Sequence, residues 1–211
     1  MPTILVTGFE PFGGEAVNAS WEAAHRLDGW RQDEWIAVAH RLPCAYDASV
    51  AEFVRAFERL RPHLVMMTGQ AARRGVICIE RIARNRDSAM APDNRGAFRQ
   101  GAVSVAGAPE ILEATAPVAD VARAICETGF PARISANAGG YVCNHLYFGA
   151  LNYLRAGSQE TPAVFLHLPA TPEQTPPRAS ARRLASADAA RALRAAALAL
   201  IGAGSLRVAA R

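Results

Sequence analysis

The sequence predicts an α/β domain whose largely parallel sheet is covered by helices on both faces, and three observations point there. Short apolar runs closed by Gly or Pro recur along the chain in the manner of buried strands. Between them lie segments with apolar residues at i, i+3, i+4 and i+7 spacing, in the manner of amphipathic helices. Finally, 211 residues at 51% hydrophobic and 20% charged suffice to fill one core. No internal repeat or linker interrupts the pattern, so residues 1–211 read as a single domain.

The first strand is Thr3 to Thr7, closed by Gly8 and followed by the Gly/Pro-rich loop GFEPFGG, with a helix starting near Asn18 or Ser20. Trp35 to Leu42 is the next strand, stopped by Pro43. Asp47 stands where a cap belongs for a helix whose apolar face is Val50, Phe53, Val54, Phe57 and Leu60, ended by Pro62. Leu64 to Thr68 and the longer Val76 to Ala83 are further strands. Val118, Val121, Ala122, Ile125 and Cys126 mark another helix, and Ala132 to Ser135 and Ala163 to His167 two short strands. The last helix is expected over Ala181 to Ile201, with Leu193, Ala196, Ala197, Leu200 and Ile201 on its buried face. The stretch from Arg86 to Ala108 is only patchily apolar, which predicts a functional loop, lid or hairpin.

Composition excludes several chemistries. All 23 basic residues are arginine, so a Walker A phosphate loop and any lysine imine chemistry are ruled out. The net charge of +4 is concentrated at the end, where Arg178, Arg182, Arg183, Arg191, Arg194, Arg207 and Arg211 face a single acid, Asp188. The apolar runs are shorter than a membrane span, and the opening MPTILVTGFEPFGG has no basic region ahead of an apolar segment. Cys44, Cys78, Cys126 and Cys143 are widely spaced without a C-x-x-C pair, which predicts neither a disulfide framework nor a zinc site. A soluble, cytoplasmic protein without metal or cofactor is expected.

Three residues sit where their polarity does not fit. Glu80 alternates with Val76, Cys78 and Ile82, placing a carboxylate in an apolar strand row, where it needs a partner. The plain reading gives it Arg81 or Arg84; the other makes it functional. His167 ends the strand Ala163 to His167, either as a base or as a core histidine bonded to a carbonyl. Cys143 follows the turn-forming SANAGGYV and opens an apolar helical stretch, where helix N-H groups favour a thiolate; a small buried hydrophobe is the alternative. Cys78 and Cys126 read as buried hydrophobes, and His25, His40, His63 and His145 carry no comparable signal. Cysteine, histidine and an acid in one α/β domain suggest a thiol acyl-transfer triad.

Four segments sharpen this: ILVTGFEPFGGEAVNASWEA, ICIERIARNRDSAMAPDNRG, SANAGGYVCNHLYFGAL and FLHLPATPEQ. In content, order and spacing the chain resembles the pyroglutamyl peptidase type I (pyrrolidone-carboxylate peptidase) family of cysteine peptidases over most of its length. The resemblance implies a three-layer α/β/α sandwich with a largely parallel, mixed central sheet. It also implies removal of N-terminal pyroglutamate from peptides, a homo-oligomer (dimer or tetramer), and no cofactor. Carried over by position, it makes Cys143 the nucleophile, His167 the imidazole and Glu80 the orienting acid. The lactam slot falls on Phe9, Phe12, Tyr141 and Val142, with Asn18 and Gln70 as polar contacts. The chain departs from the family pattern at Met90 and Ala91, where an Arg and a branched apolar residue are usual, and at Ala72, Arg73 and Ala170. These departures motivate one competing reading, a catalytically weak relative with altered specificity for a small N-terminal group. The tail arginines motivate another, a nucleic-acid binder.

Overall fold

A computed structural model describes residues 1–157, 160–174 and 182–209. A seven-stranded sheet runs in the order β10-β5-β11-β4-β1-β3-β2, built from β1 (Thr3–Phe9), β2 (Arg31–Gln32), β3 (Trp35–Leu42), β4 (Leu64–Gln70), β5 (Ile77–Glu80), β10 (Ala132–Ser135) and β11 (Ala163–Leu168). Pairs β1·β3, β1·β4, β4·β11 and β5·β10 are parallel, whereas β5·β11 and β2·β3 are antiparallel. The sheet is therefore mixed and mostly parallel, as the family resemblance implies.

Helices α1 (Ala19–His25), α3 (Val118–Glu127) and α5 (Ser186–Ala209) cover one face, and α2 (Ala48–Leu60) and α4 (Val142–Ala156) the other. The alternation of strand side chains makes two cores. Ile4, Val6, Met66, Ile79, Val164 and Leu166 meet Ala24, Leu27, Val121, Ile125, Leu193 and Ala197 on one side. Leu5, Val65, Met67 and Phe165 meet Phe53, Phe57, Leu146 and Leu151 on the other. Gly149 lets α2 approach α4 closely, since a Cβ there would lie 2.6 Å from Val50 Cγ2.

The sequence pattern misplaces several elements. Val76 to Ala83 is not one strand: the backbone leaves the main sheet at Arg81, whose N-H bonds Ser135 O and whose carbonyl accepts from Ala114. Residues Ile82–Arg84 (β6) pair instead with Ile111–Glu113 (β9). Leu64 to Thr68 continues through Gln70. Asp47 occupies the α2 cap position, but its carboxylate is turned to Arg99, so the helix has no side-chain cap. Arg61 takes a left-handed φ of 45° and Pro62 follows, so the helix stops where expected. Ala181 lies outside the described residues; α5 starts at Ser186 and runs past Ile201 to Ala209, with Leu193, Ala196, Ala197 and Leu200 buried as expected. Cys78 is buried, but Cys126 is exposed, because α3 buries only Val121 and Ile125 fully.

The patchy stretch after β6 contains a two-stranded ribbon, Asp87–Ser88 (β7) with Gln100–Ala102 (β8). It is fastened to the rest of the chain through Asp93, which accepts from the N-H groups of Tyr46, Arg95 and Ala97, and through Asn94, which donates to Glu10 Oε1 and Pro11 O. Among the described residues no helix is long and apolar enough to cross a membrane.

Candidate active site

Glu80 and His167 meet because β5 and β11 are antiparallel. The register pairs Glu80 with Phe165 and His167 with Cys78, so the acid and the imidazole lie diagonally on one sheet face. His167 Nδ1 is 2.8 Å from Glu80 Oε1, and both side chains are almost fully buried. Glu80 does not pair with Arg81 or Arg84, as its plain reading supposes; its cationic partner is Arg74, whose Nη1 stands 2.5 Å from the same oxygen. Burial alone would raise the Glu80 carboxyl, but His167, Ser135 alongside on β10, and the Arg74 charge together hold it below the usual carboxylate range. An ionised carboxylate only accepts, so Nδ1 carries the proton and Nε2 is left as the basic nitrogen. Burial also pushes the imidazole below its ordinary value, against the pull of Glu80, so His167 rests neutral.

Cys143 is the second residue of α4, after the turn Ser135 to Tyr141. Gly140 is required there, because the backbone of Ser88 packs directly on it and a Cβ would overlap the Ser88 carbonyl oxygen. The cysteine Sγ is seated against Gly69, the β4 residue registered with His167, since a Cβ on Gly69 would come within 2.8 Å of both Cys143 Sγ and Phe165 Cζ. Phe165 in turn packs tilted against the His167 ring, centroids 4.9 Å apart. Strand adjacency thus sets Gly69, the seat of the thiol, beside His167. Burial pushes the Cys143 thiol well above its ordinary value, with the Glu80 charge adding to the effect. Burial thus disfavours the charged form of both the thiol and the imidazole. Tyr141 caps α4 without a side-chain hydrogen bond, which leaves a donor-rich helix end around Cys143.

The other expected residues group around this centre. Phe9 is buried at the end of β1, while Phe12 lies half-buried with its ring 6.0 Å from Tyr141, which donates its hydroxyl to Pro92 O. Val142 is fully buried. Asn18 is not a free polar contact: it is 1% exposed, Oδ1 accepts from the N-H and hydroxyl of Ser20, and Nδ2 donates to Glu10 O. It caps α1 and fixes the loop between Phe9 and Asn18. Gln70 Oε1 accepts from Ala19 N-H at 2.7 Å, so that oxygen also holds the start of α1. Met90 is 98% exposed and Ala91 exposed, while Ala170 is buried.

Sequence reasoning passed over His145. Its Nδ1 is 2.9 Å from Asp87 Oδ2, and Asp87 also accepts from Arg99 and from the Ser104 hydroxyl. Tyr46 joins this network, edge-on to His145 and beneath the Arg99 guanidinium. The signal was available as Asp87 and Arg99, two charges within an otherwise unexplained excursion. Asn144 was missed as well; it is fully buried and spans Arg84 N-H, Arg84 O and Arg86 O, tying α4 to β6.

A buried acid on an imidazole, a cysteine at a helix start and an apolar aromatic loop on an α/β sheet define a thiol-dependent acyl-transfer hydrolase. The comparisons with known proteins narrow this class. The family model for pyroglutamyl peptidase matches residues 2–202. The chain is 44% identical over 173 residues to a pyrrolidone-carboxylate peptidase of Gloeobacter violaceus, covering 81% of this chain and 83% of that one. Among solved structures it is similar to pyroglutamyl peptidase I from Bacillus amyloliquefaciens, with TM-score 0.90, 34% identity and 94% of each chain covered. Pyrrolidone carboxyl peptidase from Thermococcus litoralis gives TM-score 0.90 at 29% identity, covering 96% of this chain and 94% of that one. The chain belongs to the pyroglutamyl peptidase family, cysteine peptidases that remove an N-terminal pyroglutamyl residue.

Proposed function

We propose that Cys143, His167 and Glu80 carry this hydrolysis. The observation that supports it most is the buried 2.8 Å His167–Glu80 pair beside the glycine against which Cys143 Sγ is seated. His167 Nε2 takes the thiol proton as sulfur attacks the pyroglutamyl carbonyl, and delivers it to the departing amine; a thioester remains. Water then attacks the thioester with His167 as base, releasing pyroglutamic acid and restoring the thiol. Burial holds the thiol up and the imidazole down, which disfavours a preformed ion pair in the free site. The Cys143 N-H donates to the oxyanion. Glu80 holds the Nδ1-protonated tautomer and stabilises the imidazolium as it forms.

The lactam ring is small, neutral and polar at one edge, and Phe9, Phe12, Tyr141 and Val142 form its slot, with the Gln70 amide as polar contact and Asn18 as the anchor of the loop. The domain works as one unit, a reading supported by the single seven-stranded sheet and the family match over 2–202. Peptides bearing N-terminal pyroglutamate are its partners. It acts in the cytoplasm, where its free cysteines stay reduced. It assembles as a dimer or tetramer, with Met90, Phe98, Val103 and Ile111 as exposed apolar residues available to an interface. Phe12→Ala should raise KM for a pyroglutamyl amide more than it lowers kcat, and a free lactam should protect Cys143 from alkylation. An alkylation rate at Cys143 indifferent to the lactam would overturn the slot.

Among the described tail residues, three of the arginines behind the nucleic-acid reading are engaged within the chain, while Arg178, Arg207 and Arg211 lie outside the described side chains. Arg183 donates to the carbonyls of Thr171 and Gln174, Arg191 pairs with Asp188 and lies over Phe130, and Arg194 donates to Arg26 O. The altered-specificity reading rests on Met90, Ala91 and Ala170; Met90 and Ala91 are exposed, in a segment whose neighbours Ser88 and Pro92 bond Gly140 and Tyr141, and Ala170 is buried.

A further inference from the structure

Arg74 stands beside the triad without a role in the steps above. It lies in the turn between β4 and β5, and its guanidinium reaches two places. Nη1 is 2.5 Å from Glu80 Oε1, and Nη2 is 2.6 Å from the carbonyl oxygen of Asn137, within the turn that leads to Cys143. Glu80 Oε1 thus receives both Arg74 and His167 Nδ1, while Oε2 is buried with no hydrogen-bond partner among the described residues. A buried carboxylate facing only a neutral imidazole would lack a counterion, and removing one member of a buried pair leaves an uncompensated charge.

We propose that Arg74 is the resting-state counterion of Glu80 and a positioning residue for hydrolysis, keeping the acid ionised while His167 is neutral and tying it to the turn that carries Cys143. This rests on the reading of Cys143, His167 and Glu80 as the reacting set. The guanidinium is permanently charged, so it holds Glu80 ionised without giving up a proton. In the resting state Arg74 balances Glu80; once the imidazolium forms, the same carboxylate is shared between two cations. Arg74 therefore disfavours premature protonation of His167, in line with the direction in which its charge moves the imidazole. The other groups around Glu80 are His167 from β11, Ser135 from β10, Cys143 and the Tyr147 hydroxyl from α4, and Cys78 on β5 itself. None of these is a permanent cation; Arg133, also on β10, is one, but its Nε is directed at Cys78 Sγ, 3.4 Å away.

The test compares Arg74→Gln, Arg74→Lys, Glu80→Gln and the double variant Glu80→Gln/Arg74→Gln, using hydrolysis of a pyroglutamyl amide from pH 5 to 9. Arg74→Gln should lower kcat by about 10- to 100-fold, the scale of a misplaced catalytic group, with little change in KM. Its acid limb in kcat/KM should move up by about one pH unit, because both Glu80 and His167 then bind a proton more readily. Arg74→Lys, which keeps the charge and loses the fork, should hold the acid limb near its original place with a smaller loss of kcat. The double variant should be no slower than Glu80→Gln alone, since Arg74 acts through Glu80. Losses that multiply in the double variant, or an unmoved acid limb in Arg74→Gln, would overturn the proposal while leaving the triad intact. Undiminished kcat in Glu80→Gln would instead overturn the triad reading itself. If Arg74→Gln does not fold, the double variant and Arg74→Lys decide, because neither leaves a lone buried charge.

Discussion

Replacing Gly69 by alanine tests the seat of the nucleophile directly. The new Cβ would stand 2.8 Å from Cys143 Sγ, 2.8 Å from Phe165 Cζ and 3.0 Å from Phe165 Cε1, short of ordinary contact by roughly 0.6 Å for the closest two. Neither neighbour can retreat freely. Sulfur is attached to the first turn of α4, and the Phe165 ring is packed between Tyr147 and His167, with centroids 5.5 Å and 4.9 Å away. Relief by either path shifts a member of the triad. Overpacking of this kind costs about 1–3 kcal/mol, which for a chain of this size lowers Tm by roughly 2–12 °C. Since a displacement of about 1 Å can cost 100-fold, kcat should fall about 10- to 100-fold in protein that remains folded below its Tm. Steady-state hydrolysis of a pyroglutamyl amide beside a thermal melt reads both effects. A stable Gly69→Ala protein with unaltered kcat would refute this placement of Cys143.

Three further outcomes follow from the packing around the site. Asn144→Ala strips partners from Arg84 N-H, Arg84 O and Arg86 O together, so denaturant unfolding should show a loss of about 2–3 kcal/mol; a loss under 0.5 kcal/mol would mean that these groups find other partners. Asp87→Ala leaves His145 and Arg99 without their buried acceptor and should cost about 3–5 kcal/mol, with faster amide exchange over residues 88–102 as its local signature. Stability should decline on acidification in two stages. His167 has a folded value below its unfolded one, so its contribution is complete at neutral pH and shrinks as pH drops below about 6.5. Glu80, Asp87 and Asp93 also have lowered folded values, so they add a steeper loss as pH falls below about 4.5. Stability that rises from pH 7 to pH 5 would contradict the His167 assignment, and stability that rises as pH falls below about 4.5 would contradict the three carboxylates.

How far the sequence can be read depends on whether an interaction is local. The boundaries of Trp35–Leu42 and Ala132–Ser135, and the start of α1 at its Asn18 cap, are matched because strand runs, caps and stop residues lie within a few positions of one another. The break at Arg81 was invisible, since it depends on backbone bonds to Ser135 and Ala114. Glu80 is conspicuous as a carboxylate in an apolar row, yet its partners come from another strand and a preceding turn, so Arg81 and Arg84 were the nearest candidates and the wrong ones. Asn18 looked like a ligand contact because a polar residue after a Gly-rich loop fits both uses; only its spent hydrogen bonds separate capping from recognition. His145 and Asp87, 58 positions apart, offered no periodicity to connect them.

Hydrolysis of a pyroglutamyl fluorogenic amide beside its prolyl and alanyl analogues, by the native chain and by Cys143→Ala with an unaltered melt, tests the central claim most directly. The account predicts cleavage of the pyroglutamyl amide alone, abolished in Cys143→Ala. Retained turnover in the variant, or equal cleavage of the prolyl amide by the native chain, would contradict the thiol mechanism in the first case and the lactam slot in the second.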